Sequence, residues 1–309
     1  MQFHTPVLLN EVVKYLNIKP GKKYIDATIG GGGHAAAILE RGGVVLGIDV
    51  DSMAVEFVKE RLAAEFSIFN FQFSIVQGNF RNIDKIAHEH GFGQVAGILF
   101  DLGMSSWQIE KSGRGFSFLK DEPLDMRMDP DLRVTAADLV NGLTVKELYE
   151  LFTKFGEEKF SRRIAERIVS KRRLTKIQTT KQLADLISKI YGGRGSARGG
   201  CGRTRIHPAT RVFQALRIAV NDELNNLREA LPKSVNLLEP EGRLIVISFH
   251  SLEDRIVKDE FKRMESESKR SAKGGLLRIL TKKPVRATPE EIKKNPRARS
   301  ARLRAAERR

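Results

Sequence analysis

A chain of 309 residues, 41% hydrophobic and 30% charged, holds enough apolar material for two structural units and too much for a disordered polymer. It has no run of about 18 apolar residues, no basic-then-apolar secretory pattern at its start, and a single cysteine, Cys201, which excludes an internal disulfide and any multi-cysteine metal site. With a net charge of +16, these features predict a cytoplasmic protein without membrane spans whose partner is anionic.

The first hundred residues alternate between the two periodicities. Pro6 to Tyr15 has helical spacing, and Tyr24 to Thr28 is a short strand running into the glycines Gly30 to Gly33. His34 to Arg41 reads as a helix and Gly43 to Asp49 as an apolar strand. Ser52 is expected to cap a helix through Glu65. A strand at Phe71–Val76, a helix at Asn82–Glu89 and a buried strand at Val95–Asp101 follow. Strands separated by helices predict a parallel, doubly wound α/β sheet.

After Trp107 the pattern changes. Only helical spacing runs from Thr135 to Tyr191, and the stretch from Gly192 to Arg203 is a glycine–arginine loop. One long helix is expected at Thr210–Leu231, and Gly242–Phe249 is a buried strand that returns the chain to the sheet. From Lys262 onward the chain reads as an irregular basic tail. The predicted architecture is a sheet domain over 1–120 and 206–309 with an all-helical domain inserted at 121–205.

Charge follows these divisions. Residues 1–110 carry a balance of −3, 111–205 of +9, 206–261 of −2 and 262–309 of +12. Two basic blocks between near-neutral ones point to nucleic acid; a membrane surface is the weaker reading, since no basic helix carries a Trp/Phe/Leu face. If the tail is a docked basic appendage, deleting 295–309 should weaken nucleic-acid binding and spare any small-molecule site.

In a doubly wound sheet, ligands bind beyond the carboxyl ends of the strands. Those ends carry Asp26-Ala-Thr-Ile-Gly-Gly-Gly-Gly-His34, Asp49-Val-Asp51, Gln77-Gly-Asn-Phe80 and Asp101-Leu-Gly-Met-Ser-Ser-Trp-Gln108. The glycines permit a tight turn, and Asp49, nineteen residues beyond Gly30, can accept both hydroxyls of a ribose. A nicotinamide dinucleotide would need a pyrophosphate site and usually a third glycine, where this chain has Ala35. S-adenosylmethionine, a cation, favours acids around the loop, which Asp26 supplies, and Phe80 could pack on its adenine.

Eight motifs carry a family resemblance. They are His4-Thr-Pro-Val-Leu-Leu9, Asp26 to His34, Asp101 to Ser106, Arg114-Gly-Phe-Ser-Phe118, Pro123 to Pro130, His207 to Arg217, Ser248 to Arg255 and Asn295 to Ser300. Spread in order over nearly the whole chain, they resemble the bacterial small-subunit (16S) ribosomal RNA cytosine-N4 methyltransferases. The resemblance implies a class I (Rossmann-like) methyltransferase sheet, S-adenosylmethionine as cofactor, and methylation of a decoding-site cytidine in 16S rRNA. It further implies an inserted domain that recognises substrate. By position, the implied cofactor residues are Gly32, Gly33, His34, Asp49, Phe80, Asp101 and Gln108.

The chemistry agrees with that. An exocyclic cytosine amine is a poor nucleophile, so it must be held in line with the methyl group while an acceptor takes its N–H. Asp101 is the best acid for that catalytic role, or for holding the cofactor's own amino group. No Asp/Asn-Pro-Pro-aromatic motif is present, which leaves the base open. The blander readings bear on other residues. His250-Ser251 beside Asp254 lacks a nucleophile elbow and is not a hydrolase triad; Ser248 to Ser251 reads rather as the floor of the substrate pocket. Asp125, Asp129 and Asp131 are broken by Pro130 and Leu132 as a calcium loop, so no metal is expected. Phe116, Phe118, Met126 and Met128 fit core better than base stacking. A dehydrogenase and a catalytically dead RNA-assembly factor are the competing classes.

Overall fold

A computed structural model of the chain describes residues 6–66, 72–105, 108–109, 112–192, 207–270 and 276–309. His4, Trp107, Cys201 and nearly all of the expected 192–203 loop lie outside them. The chain divides into two compact units, residues 1–105 with 224–309, and residues 106–223. The helical unit is therefore wider than the 121–205 expected from sequence.

Among the described residues the first unit is built on seven strands: β1 (Lys23–Asp26), β2 (Val44–Asp49), β3 (Phe73–Gln77), β4 (Val95–Asp101), β5 (Leu238–Ser248), β6 (Leu277–Ile279) and β7 (Arg302–Arg308). Their order is β3-β2-β1-β4-β5-β7-β6, with the first five parallel and β7 antiparallel to both neighbours. Helix α1 (Leu9–Leu16) precedes β1, and α2 (Gly33–Leu39), α3 (Ser52–Phe66) and α4 (Ile83–Glu89) lie between the early strands in sequence. Parallel strands need such crossovers and bury both faces, which is why β4 reads as the unbroken apolar run Val-Ala-Gly-Ile-Leu-Phe. The α/β doubly wound expectation is met, and the order reverses between β1 and β4. The cap of α3 is Asp51 rather than Ser52: its carbonyl accepts the Val55 N–H at 3.1 Å and its carboxylate the Met53 N–H at 3.3 Å.

The second unit holds α5 (Ala136–Gly142), α6 (Val145–Gly156), α7 (Ser161–Arg172), α8 (Thr180–Ile190) and α9 (Thr210–Asn221). Thr135, Thr144 and Thr179 close capping boxes with Asp138, Glu147 and Gln182, which fix the starts of α5, α6 and α8. Helix α9 packs against α6, which draws residues after 205 into this unit.

Two further expectations are corrected. The single helix at 210–231 is two, α9 and α10 (Glu223–Leu237), broken at Asp222 with φ 50°. Asn and Asp tolerate that conformation better than other side chains, so Asn221-Asp222 was the available signal, masked by apolar spacing that continues across it.

The basic tail is not an appendage. After α11 (Ser251–Arg270), the chain forms β6, a short helix α12 (Pro289–Lys294) and β7, which lies between β5 and β6. Leu303, Ala305 and Ala306 have no solvent exposure. Arg304 donates to Asp254 on α11 at 2.7 Å, and Glu307 pairs with Arg243 and Arg278. Arg304 and Glu307 are thus paired inside the sheet while Lys282, Lys283, Lys293 and Lys294 stay exposed, and the Arg/Leu/Ala/Glu composition of β7 hid the strand. Deleting 295–309 removes an interior strand, so its expected outcome is an unfolded protein rather than a selective loss of RNA binding. Arg304→Ala leaves Asp254 with only Arg302, 3.7 Å away. It should cost on the order of 3 kcal/mol in urea denaturation, as for a broken, largely buried ion pair.

Candidate functional site

The carboxyl ends of β1, β2 and β4 are tied by the backbone that leaves β1. The Ala27 N–H donates to Leu99 O of β4 at 2.9 Å, and the Ile29 N–H to Ile48 O of β2 at 2.9 Å. The chain thus crosses the point where strand order reverses, the usual ligand crevice of such sheets. Thr28 Oγ1 accepts the Asp101 N–H at 2.7 Å, fixing the end of β4 against that of β1.

The glycines then turn the chain into α2. Gly32 sits at φ 74°, where an added Cβ would also fall 3.0 Å from Val58, and a Cβ on Gly33 would fall 3.1 Å from the Pro6 ring. A side chain at Gly32 would be strained by its backbone as well as crowded, and one at Gly33 would need the Pro6 ring to give by a few tenths of an ångström.

Asp49 is fastened on both oxygens: Oδ2 accepts the Gly30 N–H and Oδ1 the Asp51 N–H, each at 3.0 Å. A carboxylate has about four acceptor positions, so each oxygen retains capacity for a ligand hydroxyl. Burial pushes the Asp49 carboxyl up to about 6, although the Asp51 and Gly30 N–H groups pull it down.

Asp26 is 1% exposed, and its carboxylate accepts the Thr28 N–H at 3.3 Å. Burial pushes it up to about 7; the neighbouring His34 and the Thr28 N–H lower it, while Asp101 and Asp49 raise it further. His34, on the first turn of α2, is 6% exposed. Burial lowers its pKa, but Asp101 and Asp26 outweigh that and leave it above the ordinary value. Its Nε2 is 3.3 Å from Asp101 Oδ2, an off-axis contact rather than an aligned hydrogen bond, and its Nδ1 and Asp101 Oδ1 have no hydrogen-bond partner.

Phe80 follows β3 in a 3-10 turn capped by Asn79, its ring edge-on to Phe100 at 5.5 Å. Sequence reasoning therefore selected residues that the sheet brings to its carboxyl edge: Gly32, Gly33, His34, Asp49, Phe80 and Asp101. Gln108 belongs to the other unit, where it is buried and its carbonyl accepts the Ser112 hydroxyl at 2.6 Å. Thr28 and Asp51 were missed as positioning residues, although both stood inside the motifs.

Three carboxylates facing a glycine turn, with unpartnered acceptor capacity and one imidazole, suit a ligand that brings donors and positive charge. A dinucleotide's pyrophosphate would meet like charge there, which disfavours the dehydrogenase reading. Other motifs prove structural. Glu253 accepts the Phe249 and His250 N–H groups at 2.8 and 3.3 Å, and Asp254 is held by Arg304, so no triad forms. A Cβ on Gly103 would fall 2.9 Å from the Phe249 ring, which places that ring beside the turn after Asp101. In the helical unit, Arg127 binds Asp125 through both oxygens at 2.7 and 2.8 Å and also donates to the Pro130 and Leu132 carbonyls. A guanidinium stands where a metal loop would need its ion. Phe116 and Met126 are buried, and Phe118 stacks on His207 at 4.5 Å.

The raised Asp26 has a stability consequence. An acid with a raised folded pKa binds its proton more tightly folded than unfolded. Its contribution is therefore complete below about 4 and is lost as pH rises towards about 7. Asp26→Asn keeps an acceptor for Thr28 and removes the buried charge. Denaturant melts of the ligand-free variant should show a flatter pH dependence over this window and a gain on the order of 1–3 kcal/mol at pH 8.

The sequence model of the MraW methylase family matches residues 1–309. Among curated relatives, the Ribosomal RNA small subunit methyltransferase H of Geobacter sulfurreducens is 49% identical over 98% of this chain and 98% of its own length. The protein of that name from Thermomicrobium roseum is 49% identical over 99% of this chain and 93% of its own, and that from Carboxydothermus hydrogenoformans 46% over 99% and 98%. With a family match from end to end on an intact strand-end site, the chain belongs to the MraW methylase family.

Proposed function

We propose that this chain transfers a methyl group from S-adenosylmethionine to the exocyclic N4 amine of a decoding-site cytidine in small-subunit (16S) ribosomal RNA. The observation that carries the cofactor assignment is the acceptor-rich crevice of Asp26, Asp49 and Asp101 around the glycine turn. The names of its relatives support small-subunit ribosomal RNA as the substrate, and the eight sequence motifs support the cytosine amine.

Asp49 accepts the ribose hydroxyls with the lone pairs not used by Gly30 and Asp51. Gly32, Gly33 and His34 form the turn against the cofactor, and Phe80 packs on the adenine. Asp101 and Asp26 face the cationic amino-acid end; Gln108 completes the set by resemblance. S-adenosylmethionine supplies an electrophilic methyl group, so the protein's own task is positioning and charge. Asp101 keeps a buried oxygen, Oδ1, with no hydrogen-bond partner, which suits it to gripping a cation. A target base in structured RNA would have to leave its stack to reach the crevice. The helical unit presents the substrate.

The direct test is to incubate the protein with methyl-labelled cofactor and small subunits from cells lacking the enzyme. N4-methylcytidine is expected by mass spectrometry; a different methylated nucleoside would reject the target, and no transfer would reject the activity. Asp49→Ala should weaken cofactor binding about tenfold or more in calorimetry, at about 1.5–3 kcal/mol for charge-assisted hydrogen bonds. Asp101→Asn should lower cofactor affinity and single-turnover rate together. A loss of rate at unchanged affinity would instead make Asp101 the acceptor of the amine proton.

A further inference from the structure

Several arginines of this fold are committed. Arg61, Arg81, Arg127, Arg217 and Arg304 each bind a carboxylate, and Arg172 and Arg211 donate to carbonyls. The cleft between α7 and α8 in the helical unit differs. Arg163, Arg167, Lys171, Lys176 and Lys189 line two adjoining concavities of about 410 and 350 Å³, which share Arg167 and Lys189. All five are exposed, and among the described residues the side chains of Arg167, Lys171 and Lys189 make no ion pair or hydrogen bond. Only two carboxylates line the cleft, Glu166 and Asp185, and Arg162 draws Glu166 off at 3.1 Å.

The helix places these charges together. Ile164, Ala165 and Ile168 bury one face of α7, which turns Arg163, Arg167 and Lys171, four residues apart, along one exposed row. Like charges at that spacing repel, and the fold does not relieve them. An ordinary solvated face would mix signs, as Arg61 and Glu65 do on α3. Beside Arg163 lies an aromatic: its guanidinium is 5.8 Å from the Phe160 ring centre, and Phe160, 38% exposed, meets Tyr191 edge-on at 4.8 Å.

A concave, cation-lined track with an exposed ring beside it matches what unpaired nucleic acid needs, phosphate contacts along the strand and a surface on which a base can stack. A rigid A-form duplex is read over its outside and has no use for the ring. We propose that this cleft holds the phosphates of an unpaired RNA segment, with a base against Phe160. It is thus an RNA-contact surface of the helical unit, separate from the acidic residues of the sheet unit. The inference rests on reading the chain as an RNA methyltransferase.

The test uses the full chain, labelled oligouridylate, an RNA duplex of equal length, and small subunits from cells lacking the enzyme. The double variant Arg167→Glu/Lys189→Glu should bind oligouridylate at least tenfold more weakly at about 0.1 M salt. Its log-affinity against log-salt slope should shrink by about 0.7 for each phosphate no longer neutralised. Melting temperature and S-adenosylmethionine affinity should stay at wild-type values, and KM for small subunits should rise at unchanged kcat. If the reversal variant unfolds, Arg167→Ala/Lys189→Ala gives the same readouts at smaller size. Phe160→Ala should weaken oligouridylate several-fold and leave duplex binding unchanged; equal effects on both would overturn the stacking role of the ring. Lys154→Glu/Lys181→Glu makes the same charge change at exposed lysines outside the cleft, and an equal loss of affinity there would show that net charge acts, overturning the cleft. Active variants with wild-type KM and salt slope would overturn it too. A wild-type protein that methylates no subunit would instead overturn the enzymatic reading, while oligouridylate binding would still judge the cleft.

Discussion

The site depends on one short piece of backbone, residues 27 to 30, which bridges the place where the sheet reverses its strand order. Within four residues it donates to β4, then to β2, then to the Asp49 carboxylate, while Thr28 takes the N–H of Asp101. Three acids from three strands are thereby held on one edge by the backbone itself. Such preorganisation buries these acids, and that burial, with a smaller addition from neighbouring carboxylates, raises the proton affinity of Asp26 and Asp49. A fold keeps buried, mutually repelling carboxylates only where something else opposes the cost. A cationic ligand would do so, and His34 does so in part.

Charge is divided between the units by the same logic. The sheet unit concentrates acids at its ligand edge and pairs Arg304 and Arg243 internally, with Asp254 and Glu307. The helical unit lines a cleft with exposed cations, of which Arg167, Lys171 and Lys189 make no side-chain ion pair or hydrogen bond among the described residues. A small cationic ligand and a polyanionic one would thus find complementary surfaces on different parts of the chain.

Much of this was legible in the residues. Period-two and period-3.6 patterns gave β1 to β5 and the flanking helices, because burial on both faces leaves plain apolar runs. The strand-end acids stood out because a carboxylate after such a run has few structural uses. The tail did not. β7 is written in Arg, Ala and Glu, and its burial depends on partners 50 residues or more away in sequence, such as Asp254 for Arg304 and Arg243 for Glu307. The break at Asp222 was hidden by continuous apolar spacing, and Thr28 by the ordinariness of a threonine at a strand end. Long-range ion pairing and single-residue backbone reversals leave little trace in local pattern.

The central claim is that the acidic edge of the sheet receives a cation, and proton linkage tests it most directly. Asp26 and Asp49 hold protons above their ordinary range, and His34 holds its proton more tightly than a free imidazole. A positive ligand favours the ionised acids and the neutral imidazole, so all three shifts act in the same sense. Titration calorimetry with S-adenosylmethionine near pH 6.5, in buffers of different ionisation enthalpy, counts the protons exchanged. The account predicts net proton release and an affinity that rises between pH 5.5 and 8. Net proton uptake, or an affinity indifferent to pH across that range, would contradict it.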